Sequence, residues 1–154
     1  PALTVQTFGA DSRDWLLAQM TPADMPAAVR DALTALHNAG LKLAVGSSSK
    51  NAAYILERLD ANRYFDAVCD GTMIAHSKPD PEIFLTAAKA LGTTPAETLV
   101  LEDSYNGVRA GAAGGFVTVM VPDMAPANDE MRRLYTAECC DLYEVLDGLQ
   151  KGRF

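Results

Sequence analysis

The sequence predicts an α/β fold: a parallel, doubly wound sheet with helices on both faces. Three observations predict it. Leu99-Val100-Leu101 is a branched apolar run that leads straight into Glu102 and Asp103 and then into a helix start at Ser104. Such a run reads as a buried parallel strand, a loop and a crossover helix. Leu41 to Val45 is a second apolar run, interrupted only by Lys42, and it ends in Gly46-Ser47-Ser48-Ser49-Lys50-Asn51 ahead of another helix. Strand and helix patterns keep alternating after that, which implies parallel strands joined by crossovers.

Taken in order, Pro1 to Phe8 alternates weakly and suits a short strand or an arm. Asp11 to Met20 suits a short helix, with Trp15, Leu16 and Met20 at helical spacing and Asp11 or Ser12 as its cap. Thr21 to Pro26 holds two prolines and reads as a linker. Ala27 to Asn38 is an amphipathic helix with Val29, Leu33 and Leu36 inward, Arg30 and Asp31 outward, and Gly40 in a C-terminal cap position. The strand 41–45 and a helix through Leu59 follow. Tyr64 to Cys69 reads as another strand. His76 to Pro81 is a rigid turn in which Pro79 holds Lys78 extended and Pro81 opens the helix Glu82 to Leu91. His76 reads as a solvated loop residue. Thr94 to Glu97 is a turn before the strand 99–101, whose helix places Val108 and Ala112 on one side. Gly114 and Gly115 turn the chain into the strand Phe116 to Val121. A Pro- and Ala-rich loop from Pro122 to Asn128, a helix over 129–135 and a last helix over 142–149 complete it. Internal repeats and low-complexity stretches are absent from the sequence.

Composition bounds the function. The chain has 154 residues, enough for one domain with a real core, and ordinary globular usage, with 49% hydrophobic and 21% charged residues. A net charge of -7 argues against nucleic acid or an anionic membrane as partner, so any phosphate must be held by a local site. Cys69, Cys139 and Cys140 lack metal-type spacing, and free thiols in a reducing cytosol are expected. Neither a membrane-spanning run nor a signal peptide is visible. A chain that starts at Pro1 without methionine is expected to be a trimmed or internal piece of a longer one.

Three stretches carry chemistry. Ligands of open α/β sheets bind at the carboxyl ends of the strands. Two acids there, Glu102 and Asp103, backed by a helix N-terminus, make a site for a hard cation and its phosphate. A plain Ser104 N-cap with solvated acids would account for the same residues. The hydroxyl-rich Ser47, Ser48 and Ser49 with Lys50 and Asn51 offer side-chain and backbone donors to one anion. One serine would suffice for an N-cap, and three with a lysine exceed that need. Lys78 is held rigidly by Pro79 after it, which a surface lysine rarely needs, although a solvated loop lysine is the commoner case.

The three stretches GSSSKN at 46–51, SKPDPEIF at 77–84 and LVLEDSYNGVRAG at 99–111 resemble, in this order, the second, third and fourth motifs of the haloacid dehalogenase superfamily. The similarity runs from Thr21 onward and is nearest to the β-phosphoglucomutases and their phosphatase relatives. TPAD at 21–24 resembles the linker by which the chain returns from their helical cap. The resemblance implies a Rossmannoid core and a phosphoryl-transfer activity on a small phosphorylated metabolite, such as a sugar phosphate, with Mg²⁺ as cofactor. Residue by residue, Ser47 matches the serine that hydrogen-bonds the transferring phosphoryl group. Lys78 matches the lysine that neutralises phosphate and nucleophile. Glu102 and Asp103 match the acidic pair that holds Mg²⁺. Ser49, Lys50 and Asn51 match contacts to the non-reacting phosphate. A lysine, a hard cation and hydroxyl donors are the parts that phosphoryl transfer needs.

The chain also departs from the family. The first motif, an aspartate nucleophile followed two residues later by an acid/base aspartate, is absent, since no Asp-x-Asp occurs anywhere. Most of the cap is missing as well, so residues 1–20 are expected to be a cap remnant and residues 21–154 an incomplete core domain. The family's first-motif strand sits between the strands that match 41–45 and 98–101, and its loss would leave two apolar edges facing a gap. Three readings follow. The chain is the C-terminal portion of a cytoplasmic phosphatase or phosphomutase, inactive alone and prone to pair with its N-terminal portion or with itself. Or it is a non-catalytic module of the same fold that binds metal, phosphate or a partner. Or it is a generic α/β domain with coincidental motifs.

Overall fold

A computed structural model gives the fold and describes residues 17–154. Residues 17–19 are helical, and the rest of the helix expected over 11–20, like the arm expected over 1–8, lies outside the described residues. A short 3₁₀ turn at Pro22–Asp24 then leads into α1 (Ala27–Asn38). Ala32 is buried and Val29, Leu33 and Leu36 are half-buried on one stripe, while Arg30 and Asp31 are exposed. The helix stops where Gly40 takes φ +74°, and the Gly40 and Leu41 N–H groups turn back to the His37 and Leu36 carbonyls.

Five strands follow among the described residues. They are β1 (Ala44–Gly46), β2 (Ala67–Cys69), β3 (Leu99–Glu102), β4 (Val117–Met120) and β5 (Ala137–Glu138). Every observed pairing is parallel, with Val45 opposite Val68, Val100 opposite Thr118 and Val119 opposite Ala137. Between them run α2 (Ala52–Arg58), α3 (Glu82–Leu91), α4 (Tyr105–Ala113), α5 (Asp129–Leu134) and, at the end, α6 (Leu142–Gln150).

Three expectations needed correcting. The strand expected over 41–45 begins only at Ala44, because the Leu41 N–H turns back to the Leu36 carbonyl and the Leu43 backbone is bonded to Asp66. The strand expected over 64–69 is only β2, because residues 62–64 wind into a 3₁₀ turn that the Phe65 N–H closes on the Asn62 carbonyl. Asp66 then clamps Leu43, its carboxylate accepting the Leu43 N–H at 2.8 Å and its own N–H meeting the Leu43 carbonyl. β5 was not anticipated. At two residues it is too short for any periodicity and forms because β4 offers it an edge, with the Cys139 N–H on the Met120 carbonyl.

Side chains alternate between two layers, as both-face packing requires. Val100 joins Cys69, Ile83, Phe84, Ala87, Ala88, Ala110 and Phe116 under α3 and α4. Leu99 and Leu101 point the other way, to Val119, Cys139, Val145, Leu149 and Phe154 beneath α6. The two layers do not lie on one continuous sheet. β1 pairs with β2, β3 with β4 and β4 with β5, and no ladder joins β1 to β3. Their edges look across an open cleft of about 600 Å³, lined by Leu43, Ala44, Phe84, Val100 and Leu101 among others. Among the described residues, this cleft lies where the sequence led us to expect a gap, between the strands at 41–45 and 98–101. No helix of the described residues is long and apolar enough to cross a membrane.

Ile83 is completely buried and Leu85, two residues on, is 42% exposed. Ile83→Ala should cost about 3 kcal/mol through lost transfer energy and a residual cavity. Leu85→Ala should stay within about 0.5 kcal/mol. Urea unfolding of both variants reads the difference and the side of α3 that faces the core.

Candidate active site

The carboxyl ends of β1 and β3 carry the residues singled out from the sequence. Glu102 is the last residue of β3, Asp103 follows it, and Ser104 caps α4 by accepting the Gly107 N–H at 3.0 Å. Lys78 lies in the loop ahead of α3, and its ammonium is paired with Glu102 Oε1. Both side chains are largely withdrawn from water, with 16% and 8% exposure. The second oxygen of Glu102 accepts the Ser104 N–H at 3.2 Å and the Ser104 hydroxyl at 2.9 Å. Both oxygens of the buried carboxylate are therefore occupied, which is what its burial requires. The Ser104 N-cap that the sequence allowed is present, but only Asp103 of the two acids is solvated, since Glu102 is buried.

Gly107 makes this packing possible. A Cβ there would fall inside the Glu102 carboxylate, far below the 3.0 Å that real Cβ contacts keep. Asp103 differs from its neighbour: it is exposed and accepts no hydrogen bond from the described residues. On the other side of Lys78, the Phe84 ring lies under the ammonium, 4.5 Å from Nζ to the ring centroid.

The serine loop occupies the end of β1. The Ser47 N–H extends the β1–β2 ladder by bonding the Cys69 carbonyl at 3.0 Å. The Ser47 hydroxyl accepts the Ser49 N–H, and the Ser49 hydroxyl the Asn51 N–H, each at 3.2 Å. Ser48, Ser49 and Lys50 are exposed, and the Asn51 side chain leaves the first turn of α2 uncapped. These side chains make no hydrogen bond to Lys78, Glu102 or Asp103. The loop and the lysine meet instead on Phe84, because Gly46 packs so closely that a Cβ there would sit 3.0 Å from the ring.

A chain with this strand order and these residues can be compared with known proteins. The family model for haloacid dehalogenase-like hydrolases matches residues 8–115. The chain belongs to this family. It is 38% identical over 117 residues to a β-phosphoglucomutase of Bacillus subtilis, covering 75% of this chain and 52% of that protein. It is 38% identical over 89 residues to a phosphorylated carbohydrates phosphatase of Thermotoga maritima, covering 56% of this chain and 41% of that protein. The crystal structure of a Clostridium difficile β-phosphoglucomutase superposes with a TM-score of 0.77 at 26% identity, over 88% of this chain and 59% of that one. The chain thus spans about half the length of the curated relatives it matches.

Several residues around this site carry no sequence signal of their place in it. Phe84 reads as an ordinary core position of α3. Asp70, just past β2, is buried, and the Thr72 hydroxyl and then the Thr72 N–H hold its carboxyl below the usual carboxylate range. Gly107 does have a signal, since a glycine in the first turn of a helix is unfavourable unless something needs its space. His76, expected to be solvated, is exposed but bonded, its Nδ1 3.0 Å from Glu82 Oε2. His76, Asp80 and Glu82 place donor atoms within 4.8 Å of one another. The Ala75 and His76 N–H groups bind the Glu82 carboxylate and hold it below its usual range, so the trio braces the Lys78 loop.

Gly107→Ala should destabilise the chain by about 1–3 kcal/mol, the range for stranding a buried polar group, although alanine alone would favour the helix by about 1 kcal/mol. In a Glu102→Ala background the same substitution should become neutral or stabilising. Denaturant unfolding of the four species closes the cycle and reads the coupling.

Proposed function

We propose that this chain carries the phosphate-binding and metal-binding part of a phosphoryl-transfer enzyme, a phosphatase or phosphomutase acting on a small phosphorylated metabolite. The observation that carries this reading is the ammonium of Lys78, held against the buried carboxylate of Glu102, next to Asp103, which is exposed and accepts no hydrogen bond from the described residues. Membership of the hydrolase family and the phosphatases and phosphomutases among its relatives agree with it. In the proposal Lys78 and Ser47 bind the transferring phosphoryl group, and Ser48, Ser49, Lys50 and Asn51 bind a second, non-reacting phosphate.

Glu102 and Asp103 would hold Mg²⁺, and their donor set fits it: two adjacent carboxylates, hard oxygen ligands, one of them free of other partners. The ion, when bound, neutralises charge on the phosphoryl oxygens. Two carboxylates make only part of a six-coordinate shell, so water must complete it and binding should be weak. In this reading the chain's own residues orient the phosphate and offset its charge: the Lys78 ammonium donates to it, and so does the Ser47 hydroxyl. None of them is built to attack phosphorus. Among the described residues Ser47 has no base hydrogen-bonded to it, and its hydroxyl accepts the Ser49 N–H.

The sequence holds no Asp-x-Asp to act as nucleophile and acid/base pair. The chain by itself is therefore inferred to bind phosphate without turning it over. An extended segment seated between β1 and β3, supplied by an N-terminal portion, would close the sheet and could deliver the missing aspartate. Pairing of this kind, or with a second copy, follows from the two open strand edges. The same open edges and missing pair favour the second reading, a non-catalytic phosphate- or metal-binding module. The net charge of -7 supports neither nucleic acid nor an anionic membrane as partner. A reducing compartment such as the cytoplasm suits the three free thiols, of which Cys69 and Cys139 are buried.

The test is an assay of the purified chain with Mg²⁺ and p-nitrophenyl phosphate, beside calorimetric titration with orthophosphate. Turnover should not exceed the metal-only background. Orthophosphate should bind, and Lys78→Ala should weaken it by about tenfold to a hundredfold, the range of a charge-assisted hydrogen bond. Robust turnover abolished by Asp103→Ala would contradict the inferred inactivity. An orthophosphate affinity indifferent to Lys78→Ala would contradict the site.

A further inference from the structure

We propose that Phe84 is the positioning residue for Lys78: its ring face and the Glu102 carboxylate together fix the ammonium at the site, and the same ring sets the distance from Lys78 to the serine loop. The proposal rests on the reading of Lys78 as a phosphate ligand.

The geometry is specific. Lys78 Nζ stands 4.5 Å from the Phe84 ring centroid. An aromatic face carries negative charge density and attracts a cation, more strongly when water is excluded. Both groups are largely withdrawn from water, with Phe84 7% exposed and the Lys78 side chain 16% exposed, although Phe84 also lines the cleft between β1 and β3. The ring is packed on two sides. Phe116 meets it edge to face at a centroid distance of 6.1 Å and an interplanar angle of 70°. Gly46 closes against its Cδ1 and Cε1 atoms, where even a Cβ would lie at 3.0 and 3.2 Å.

The two partners of Lys78 do different work. Glu102 supplies a full opposite charge, so a phosphate must compete with it for the ammonium. The ring attracts the ammonium without accepting a proton or competing as an anion, and it holds the lysine in place while the N–H donors turn toward the ligand. Gly46 immediately precedes Ser47, so the face that seats Lys78 also seats the start of the serine loop. A non-aromatic side chain of similar volume would keep the core filled and lose the seat.

The test compares Phe84→Leu and Phe84→Tyr in the full chain with two readouts. The first is the chemical shift of the Lys78 Hε protons, which a ring beneath the ammonium moves upfield of the other lysines. The second is orthophosphate affinity. Phe84→Leu should abolish the upfield shift and weaken orthophosphate about tenfold, within the range of a desolvated cation–π contact. Phe84→Tyr should preserve both, which a purely structural role would not separate from the leucine variant. Lys78 Hε protons at ordinary positions in the parent chain overturn the proposal, and so does equal behaviour of the two variants. If the parent chain takes up no orthophosphate, the functional reading fails. The seat is then decided by the rate of reductive methylation of Lys78, which Phe84→Leu should raise and Phe84→Tyr should not; no difference overturns it. Should Phe84→Leu fail to fold, Phe84→Met replaces it in every comparison.

Discussion

The buried pair of Lys78 and Glu102 is the constraint to which the site is built. Two charges taken out of water cost more than their attraction returns unless the remaining polar atoms are also satisfied. That condition explains the neighbourhood. Ser104 gives its N–H and hydroxyl to the free oxygen of Glu102, and Gly107 leaves the carboxylate room on the helix. Phe84 covers the ammonium from the other side. A pair so placed contributes little to stability compared with apolar residues of the same volume. In the proposed function its value lies in an ammonium held in one position before any ligand arrives, which lowers the ordering cost of binding.

α3 joins two sheets that are not otherwise hydrogen-bonded to each other. Ile83, Phe84, Ala87 and Ala88 pack with Cys69 at the end of β2 and with Val100 on β3. The serine loop belongs to the β1–β2 unit and the acids to the β3–β4–β5 unit. Lys78 and Phe84 belong to the bridge. The site is therefore assembled across the cleft, and its geometry depends on how firmly α3 holds both sides. Two unpaired edges facing each other leave backbone N–H and C=O groups open to any extended segment that can reach them.

Much of this was legible in the sequence because it depends on local chemistry. The run Leu99 to Asp103 could be placed as a strand ending in acids because parallel strands are apolar and ligand sites follow them. Pro79 and Pro81 marked the Lys78 loop as rigid. Gly40 and the stripe of Val29, Leu33 and Leu36 fixed α1. A gap between the strands at 41–45 and 98–101 was expected from the absent motif, and among the described residues β1 and β3 share no ladder. What was not legible depends on distant partners. β5 exists only because β4 offers an edge. Tyr64 and Phe65 look like strand residues but lie in and after a 3₁₀ turn before Asp66 clamps Leu43. Phe84 is indistinguishable by pattern from Ile83, and only the fold shows that one lies in the core and the other also under a lysine.

The central claim is that a divalent ion and a phosphate meet at Asp103, Glu102 and Lys78. Paramagnetic broadening by Mn²⁺, a substitute for Mg²⁺, tests it most directly in the amide spectrum of the chain. Sub-stoichiometric Mn²⁺ should bleach the amides of Asp103, Ser104 and Gly107 first and spare Gly40 and Gly92 beyond the helix ends of α1 and α3. Asp103→Asn should abolish that pattern. Bleaching centred instead on the exposed His76, Asp80 and Glu82 trio, or unchanged by Asp103→Asn, would contradict the account.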